Sequence, residues 1–203
     1  ITGLGNEAAT VSDTTLAVAT LNTLDGNTIG TVNAATINTL TGSAAAANTA
    51  YASGGITNLA DEAVTLTDTT VAAADINTLD TNTSGLIDAG TVNTITGTVS
   101  AVTTAFNANN GAAIKDLGDN EAVTLSDTSI AVADINTLDG LTSGLINASS
   151  ITTVTGAITA VNTAFAANNT TAISNFGDTE DVTLSSEAGV AASVLNTLEG
   201  TTS

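Results

Sequence analysis

The side chains able to do chemistry are few in kind: 20 Asp and Glu stand against a single base, Lys115, with no His and no Cys in 203 residues. Nucleophilic catalysis needs a hydroxyl, thiol or amine beside a group that takes its proton, and without imidazole or thiol that pairing cannot be assembled. A carboxylate pair can cleave glycosides, but the acidic clusters here recur at a fixed interval, as structural loops do and active sites seldom do. The residues predict a protein that is not an enzyme. Carboxylates lacking basic partners are left to be solvated, to cap turns, or to meet dissolved cations.

One acidic set precedes each of several β-branched runs: Glu7; Asp61 and Glu62; Asp116, Asp119 and Glu121; Asp178, Glu180 and Asp181. Oxygens this close suit calcium, which makes Asp61, Glu62, Asp119, Glu121, Asp178 and Glu180 candidate metal ligands and calcium the candidate cofactor. Neither the EF-hand loop nor the glycine-rich calcium nonapeptide is present, and a solvated charged loop is the competing reading that the residues favour. A second set, Asp25, Asp80, Asp139 and Glu199, falls near predicted helix C-termini, where the dipole disfavours negative charge. Capping of the following turn is favoured there over a bound cation. The amides of Asn22, Asn77, Asn136 and Asn196 are expected to satisfy turn backbone at chain corners.

The net charge of −19 repels phosphate backbones and anionic membranes, so nucleic acid is excluded as a partner. No apolar run reaches 18 residues, so membrane insertion is not expected. Residue 1 is an Ile inside a repeat, with no charged-then-apolar leader before it, so the chain reads as a fragment of a longer one.

The elements that position these residues are repeats. Asn-Thr-Leu-Asp begins at Asn22, Asn77 and Asn136 and returns as Asn-Thr-Leu-Glu at Asn196, at spacings of 55, 59 and 60. Thr-Gly recurs at Thr41-Gly42, Thr96-Gly97 and Thr155-Gly156, and Ile1 to Leu4 matches Ile56 to Leu59, Ile114 to Leu117 and Ile173 to Phe176. Three markers in one phase define repeats 1–55, 56–113 and 114–172, with a partial fourth at 173–203, in one continuous array.

Each repeat divides into halves that read as a strand followed by a short helix. The strand expectation rests on Ala63 to Thr67 and Thr91 to Thr96, where apolar and hydroxyl residues roughly alternate. Val71, Ala72, Asp75, Ile76 and Leu79, and Val99, Val102 and Phe106, share one face at helical spacing. Asp68 or Thr69 is a candidate cap for the first helix; Gly26, Gly140 and Gly200, and the Asn109-Asn110-Gly111 run, are placed for left-handed turns after helices. Tyr51, Phe106, Phe165 and Phe176 sit mostly at repeat-equivalent positions, which argues for core packing.

Helices of three turns are not stable alone, so each repeat is expected to lean on its neighbours. The predicted fold is a mixed α/β repeat solenoid of parallel strands and short Ala-rich helices, about 55–60 residues per repeat, with a pure β-solenoid as the alternative. Bonded strands lie about 4.8 Å apart while packed helices need about 8–10 Å, so one helix per strand cannot stack straight.

The run Ala72 to Asp80, the Thr-Gly followed by an Ala-rich stretch, and Leu117-Gly-Asp119 before a Val-Thr-Leu strand resemble tandem repeats of giant surface proteins of marine cyanobacteria across the whole chain. More distantly, the chain resembles repeats in marine phage tail fibres, although Asp75 and Asp134 stand where those carry Glu. The cyanobacterial likeness implies secretion, an extracellular or cell-surface location, and a scaffold or adhesive role. The expected function is an extracellular structural protein forming a rigid acidic fibre, surface layer or spacer, with itself as partner in end-to-end or lateral assembly. The alternative is an adhesin or phage receptor-binding fibre that binds glycans or a cell surface, with calcium.

Overall fold

The computed structural model describes residues 3–118, 120–168, 172–176, 180–185 and 189–201. They form a mixed α/β protein in which every strand pairing is parallel, and seven short helices rule out the all-β alternative. In repeat 1, β1 (Ala9–Thr10) and β2 (Thr15–Ala17) lead into α1 (Val18–Gly26), and β3 (Val32–Asn33) and β4 (Thr39–Gly42) into α2 (Ala44–Ala52). Repeat 2 has β5 (Ile56–Thr57), β6 (Ala63–Leu66), β7 (Thr70–Ala72) and α3 (Ala73–Asn82), then β8 (Ile87–Asp88), β9 (Thr94–Gly97) and α4 (Val99–Asn110). Repeat 3 has the same order, as β10 (Ile114–Lys115), β11 (Ala122–Leu125), β12 (Ser129–Ala131), α5 (Val132–Asp139), β13 (Ile146–Asn147), β14 (Thr153–Gly156) and α6 (Ile158–Asn168). The partial repeat contributes β15 (Ile173–Ser174), β16 (Asp181–Leu184) and α7 (Ala192–Thr201).

The chain makes two compact units whose limits cut across the repeats: 1–92 with 107–117, and 93–106 with 118–203. In the first unit, one sheet runs β1-β3-β5 and another β10-β8-β6-β4-β2. The registers stack like on like. Leu16, Leu40, Val64, Ile87 and Ile114 form one apolar row across five strands, and all but Leu16 are buried. In the second unit β9, β11, β13 and β15 are bonded in that order, placing Ile95, Val123, Ile146 and Ile173 in one buried row. The sheet β12-β14-β16 aligns Ile130, Val154 and Val182. A one-residue slip would turn each row to the opposite face, so burial of one face specifies the register.

Helix faces complete the core. Buried positions recur three residues apart, at Ala44, Ala47 and Ala50, at Ala73, Ile76 and Leu79, and at Val132, Ile135 and Leu138. The expected face through Val71 and Asp75 is corrected: Val71 belongs to β7, and Asp75 is only half-buried. Phe106, Phe165 and Phe176 are all but fully buried, with the rings of Phe165 and Phe176 edge to face at 5.1 Å, while Tyr51 is half-buried. Each such Phe contributes about 2–3 kcal/mol by leaving water.

In the first unit α1 follows β2 directly and α2 follows β4 after one residue, Ser43, while β6, next in that sheet, leads into β7 and then α3. The Thr-Gly marker has a steric cause at the same place: Gly42 has φ +155° and a Cβ there would collide with Val18 at the start of α1, as one on Gly156 (φ +152°) would with Val132. The helix-terminating glycines behave otherwise than expected. Gly26 ends α1 and Gly140 caps α5 in right-handed conformations, and after α4 it is Ala112 (φ +66°) rather than Gly111 that turns left-handed.

Candidate functional site

Several of the recurring polar residues join one strand–helix layer to its neighbour within a unit. Asn22 donates its amide to the Ala46 carbonyl at 2.9 Å, from α1 to α2, and Asn136 does the same to Ala160 at 3.0 Å, from α5 to α6. The expectation that these amides serve turn backbone is therefore corrected: their acceptors are carbonyls of the neighbouring helix, 24 residues on. Asn48 and Asn162, on the alternate helices, carry the connection forward to the Asp75 carbonyl in α3 (2.8 Å) and the Val194 carbonyl in α7 (3.1 Å). The sequence reading missed this second pair, although Asn48 and Asn162 hold the same place after an Ala-rich helix start.

Helix capping also crosses layers. Asp68 accepts from the Ala44 N–H at the start of α2 at 2.8 Å, and Asp127 from the Val99 N–H of α4 at 2.8 Å. Asp68 thus caps the preceding helix; α3, the helix expected to receive it, has Ala72 at its N-cap and no side-chain cap. Ser43 and Thr98 supply the local caps, accepting from Ala46 and Ala101 at 3.2 Å each. A carboxylate at a helix N-terminus meets unsatisfied donors and the positive end of the dipole, which accounts for a use of Asp that needs no base.

The acidic loops close on themselves. Glu62 is buried, and its Oε2 accepts from the Ala60 N–H at 2.9 Å and the Tyr51 hydroxyl at 3.2 Å. Glu121, also buried, accepts from the N–H groups of Gly118 at 2.7 Å and Asn120 at 3.3 Å. Asp61 is exposed, so the neighbours Asp61 and Glu62 occupy different environments. Glu180 is half-buried, and Asp119 and Asp178 lie outside the described residues. No group of three or more His, Cys, Asp or Glu that could hold a metal occurs among the described residues. Burial pushes the Tyr51 hydroxyl up to about 12, the nearby Glu62 carboxylate adding to the rise while a hydrogen bond with Thr83 opposes it.

A Thr-x-Gly clamp backs each of these loops. Thr28, Thr83 and Thr142 donate to the carbonyls of Glu7, Glu62 and Glu121 at 2.6, 2.7 and 3.2 Å, and each accepts at 2.9 Å from the N–H of Gly30, Gly85 or Gly144 two residues on. A Cβ on any of those glycines would collide with the backbone of the same Glu.

Lys115 has a particular place. Asn58 donates to Asn33 at 2.9 Å in one layer pair and Asn175 to Asn147 at 3.1 Å in another. At the equivalent place both partners are acidic, Asp88 and Asp116, and Lys115 reaches them at 2.8 and 3.5 Å. Its hydrogen bond holds Asp88 below the usual carboxylate range, with the Gly90 N–H assisting, and Asp88 in turn raises Lys115. The one base of the chain compensates the one place where two stacked amides have become two carboxylates. It is exposed, so the pair contributes little to stability.

Asp25 receives the Ser53 hydroxyl of the next layer at 2.7 Å, another cross-layer bond where a cap on its own turn was expected. No helix among the described residues is long and apolar enough to cross a membrane. Comparisons with protein-family models, with curated proteins and with solved structures find no match.

Proposed function

We propose that this chain is part of an extracellular structural repeat protein, a solenoid whose layers extend as a rigid acidic fibre, surface layer or spacer and associate with further copies of itself. It is not an enzyme. One observation carries the reading: every recurring polar residue whose partner is seen is spent on bonding within its own layer or to the next one. Asn amides, Asp caps, inward Glu and Thr-x-Gly clamps do so in repeated register. An interface that offers the same groups on each successive layer propagates without closing, which is the bonding logic of a fibre. The remaining carboxylates keep such a fibre solvated and repel anionic surfaces. The likeness to cyanobacterial surface repeats supports an extracellular setting.

Electron microscopy of the longest native form, with and without calcium, tests this. Uniform fibres with a regular axial step are expected. Discrete particles would sink the structural reading and turn attention to a receptor-binding module and glycan screening.

A further inference from the structure

The Asn connection between helices is interrupted once within the second unit. At the position of Asn48 and Asn162, α4 carries Thr103, a side chain without an amide to donate, and between α4 and α5 lies a cavity of about 240 Å³. Val99, Ser100, Thr103 and Thr104 line it from α4, Asp134 and Thr137 from α5. The internal repeat provides the comparison: at α6 and α7 the equivalent position is held by the Asn162 amide.

The lining has a direction. Thr104 donates its hydroxyl proton to the Ser100 carbonyl at 2.9 Å and Thr137 to the Ala133 carbonyl at 2.8 Å, so both present lone pairs to the cavity. Asp134 adds a carboxylate, exposed on the first turn of α5, and the Val99 side chain adds an apolar wall. With one negative charge, two hydroxyls left as acceptors and two more, on Ser100 and Thr103, that rotate to suit a partner, the lining selects a donor that is positive and carries a short apolar stem. One carboxylate among hydroxyls is too few charged oxygens for a calcium site.

We propose that the α4–α5 cavity binds an alkyl-guanidinium or alkyl-ammonium group, the chemistry of an arginine or lysine side chain or of an aliphatic polyamine. The charged head pairs with Asp134 and donates to Thr104 and Thr137, and the stem lies on Val99. With a single base in 203 residues, the chain itself has almost nothing to place there, so the cation comes from another molecule.

The test is a titration of the whole isotope-labelled chain with n-propylguanidinium and, separately, with spermidine, at constant ionic strength, following backbone amide shifts. Saturable shifts are expected at residues 99–104 and 132–138. Thr103→Asn, which places an amide where Asn162 has one, and Asp134→Asn should each weaken binding at least tenfold while leaving the other helices' amides in place. Preference for the guanidinium points to a protein side chain as the natural source, preference for spermidine to a free polyamine. Shifts spread over all carboxylates in proportion to their exposure, or binding unchanged in Thr103→Asn, would overturn the proposal.

Discussion

Gly140 and Gly144 lie four residues apart, and the same added methyl should act on them in opposite directions. A Cβ on Gly144 would fall inside the backbone of Asn120 and Glu121, while on Gly140 it would meet its nearest neighbour, the Thr137 carbonyl oxygen, at an ordinary 3.4 Å. For Gly144→Ala the two segments must part. Overpacking costs about 1–3 kcal/mol, and parting them loosens the two Thr142 hydrogen bonds at about 1 kcal/mol each, so a loss of about 3–5 kcal/mol is expected. At roughly 2–4 °C per kcal/mol for a chain of this size, the midpoint should fall by about 10 °C. Gly140 is right-handed (φ −75°), so Gly140→Ala costs no strain and restricts the unfolded chain, a gain of about 0.4–1 kcal/mol and a rise of about 2 °C. The chain carries its own precedent, since Thr81 occupies the place of Gly26 and Gly140 in repeat 2. Thermal unfolding followed by circular dichroism reads both variants; equal shifts, or a Gly144→Ala midpoint within a degree of the parent, would refute the close-approach argument.

Three further outcomes follow from the cross-layer bonds. Asn136→Ala should cost about 1 kcal/mol in urea unfolding, and Asn136→Asp about 2–3 kcal/mol, because it sets a carboxylate against the Ala160 carbonyl; equal losses would mean the amide is not the donor. Asp127→Ala should cost about 1 kcal/mol and speed hydrogen exchange at the Val99 amide, the group it caps in the preceding layer. Tyr51 stays protonated to about pH 12 when folded but only to about 10 when unfolded, so its stabilisation is complete below pH 10 and lost between 10 and 12. The full linkage of ~2.7 kcal/mol is screened at this half-exposed site to about 1 kcal/mol. Tyr51→Phe should remove that alkaline drop in a pH series of melts, and a drop that survives the change assigns it elsewhere.

The helix faces through Ile76 and Leu79 and the core role of the Phe residues were legible in the sequence because each rests on local spacing. The two-residue strands such as Ile56–Thr57 and Ile87–Asp88 were not, since two residues carry no periodicity. Recurrence showed that Asn22 and Asn136 mattered but not to what they bond, because the acceptor lies 24 residues away in another helix. Orientation was hidden as well: a pair such as Asp61-Glu62 reads as one cluster, yet one carboxylate faces water and the other its own loop. A signal was available, for Glu7, Glu62, Glu121 and Glu180 recur at one phase while the aspartates beside them shift. The joint change of Asn33 and Asn58 to Asp88 and Asp116, with Lys115 arriving beside them, was equally readable as a contact between those positions.

The central claim is that the layers add along one direction through the same bonds. X-ray scattering from this chain lengthened by one, two and three copies of repeat 3, residues 114–172, tests it most directly. The account predicts that the longest dimension grows by a constant increment per repeat while the cross-section stays fixed. Growth of the radius of gyration as roughly the 0.38 power of chain length, the behaviour of a compact globule, would contradict it.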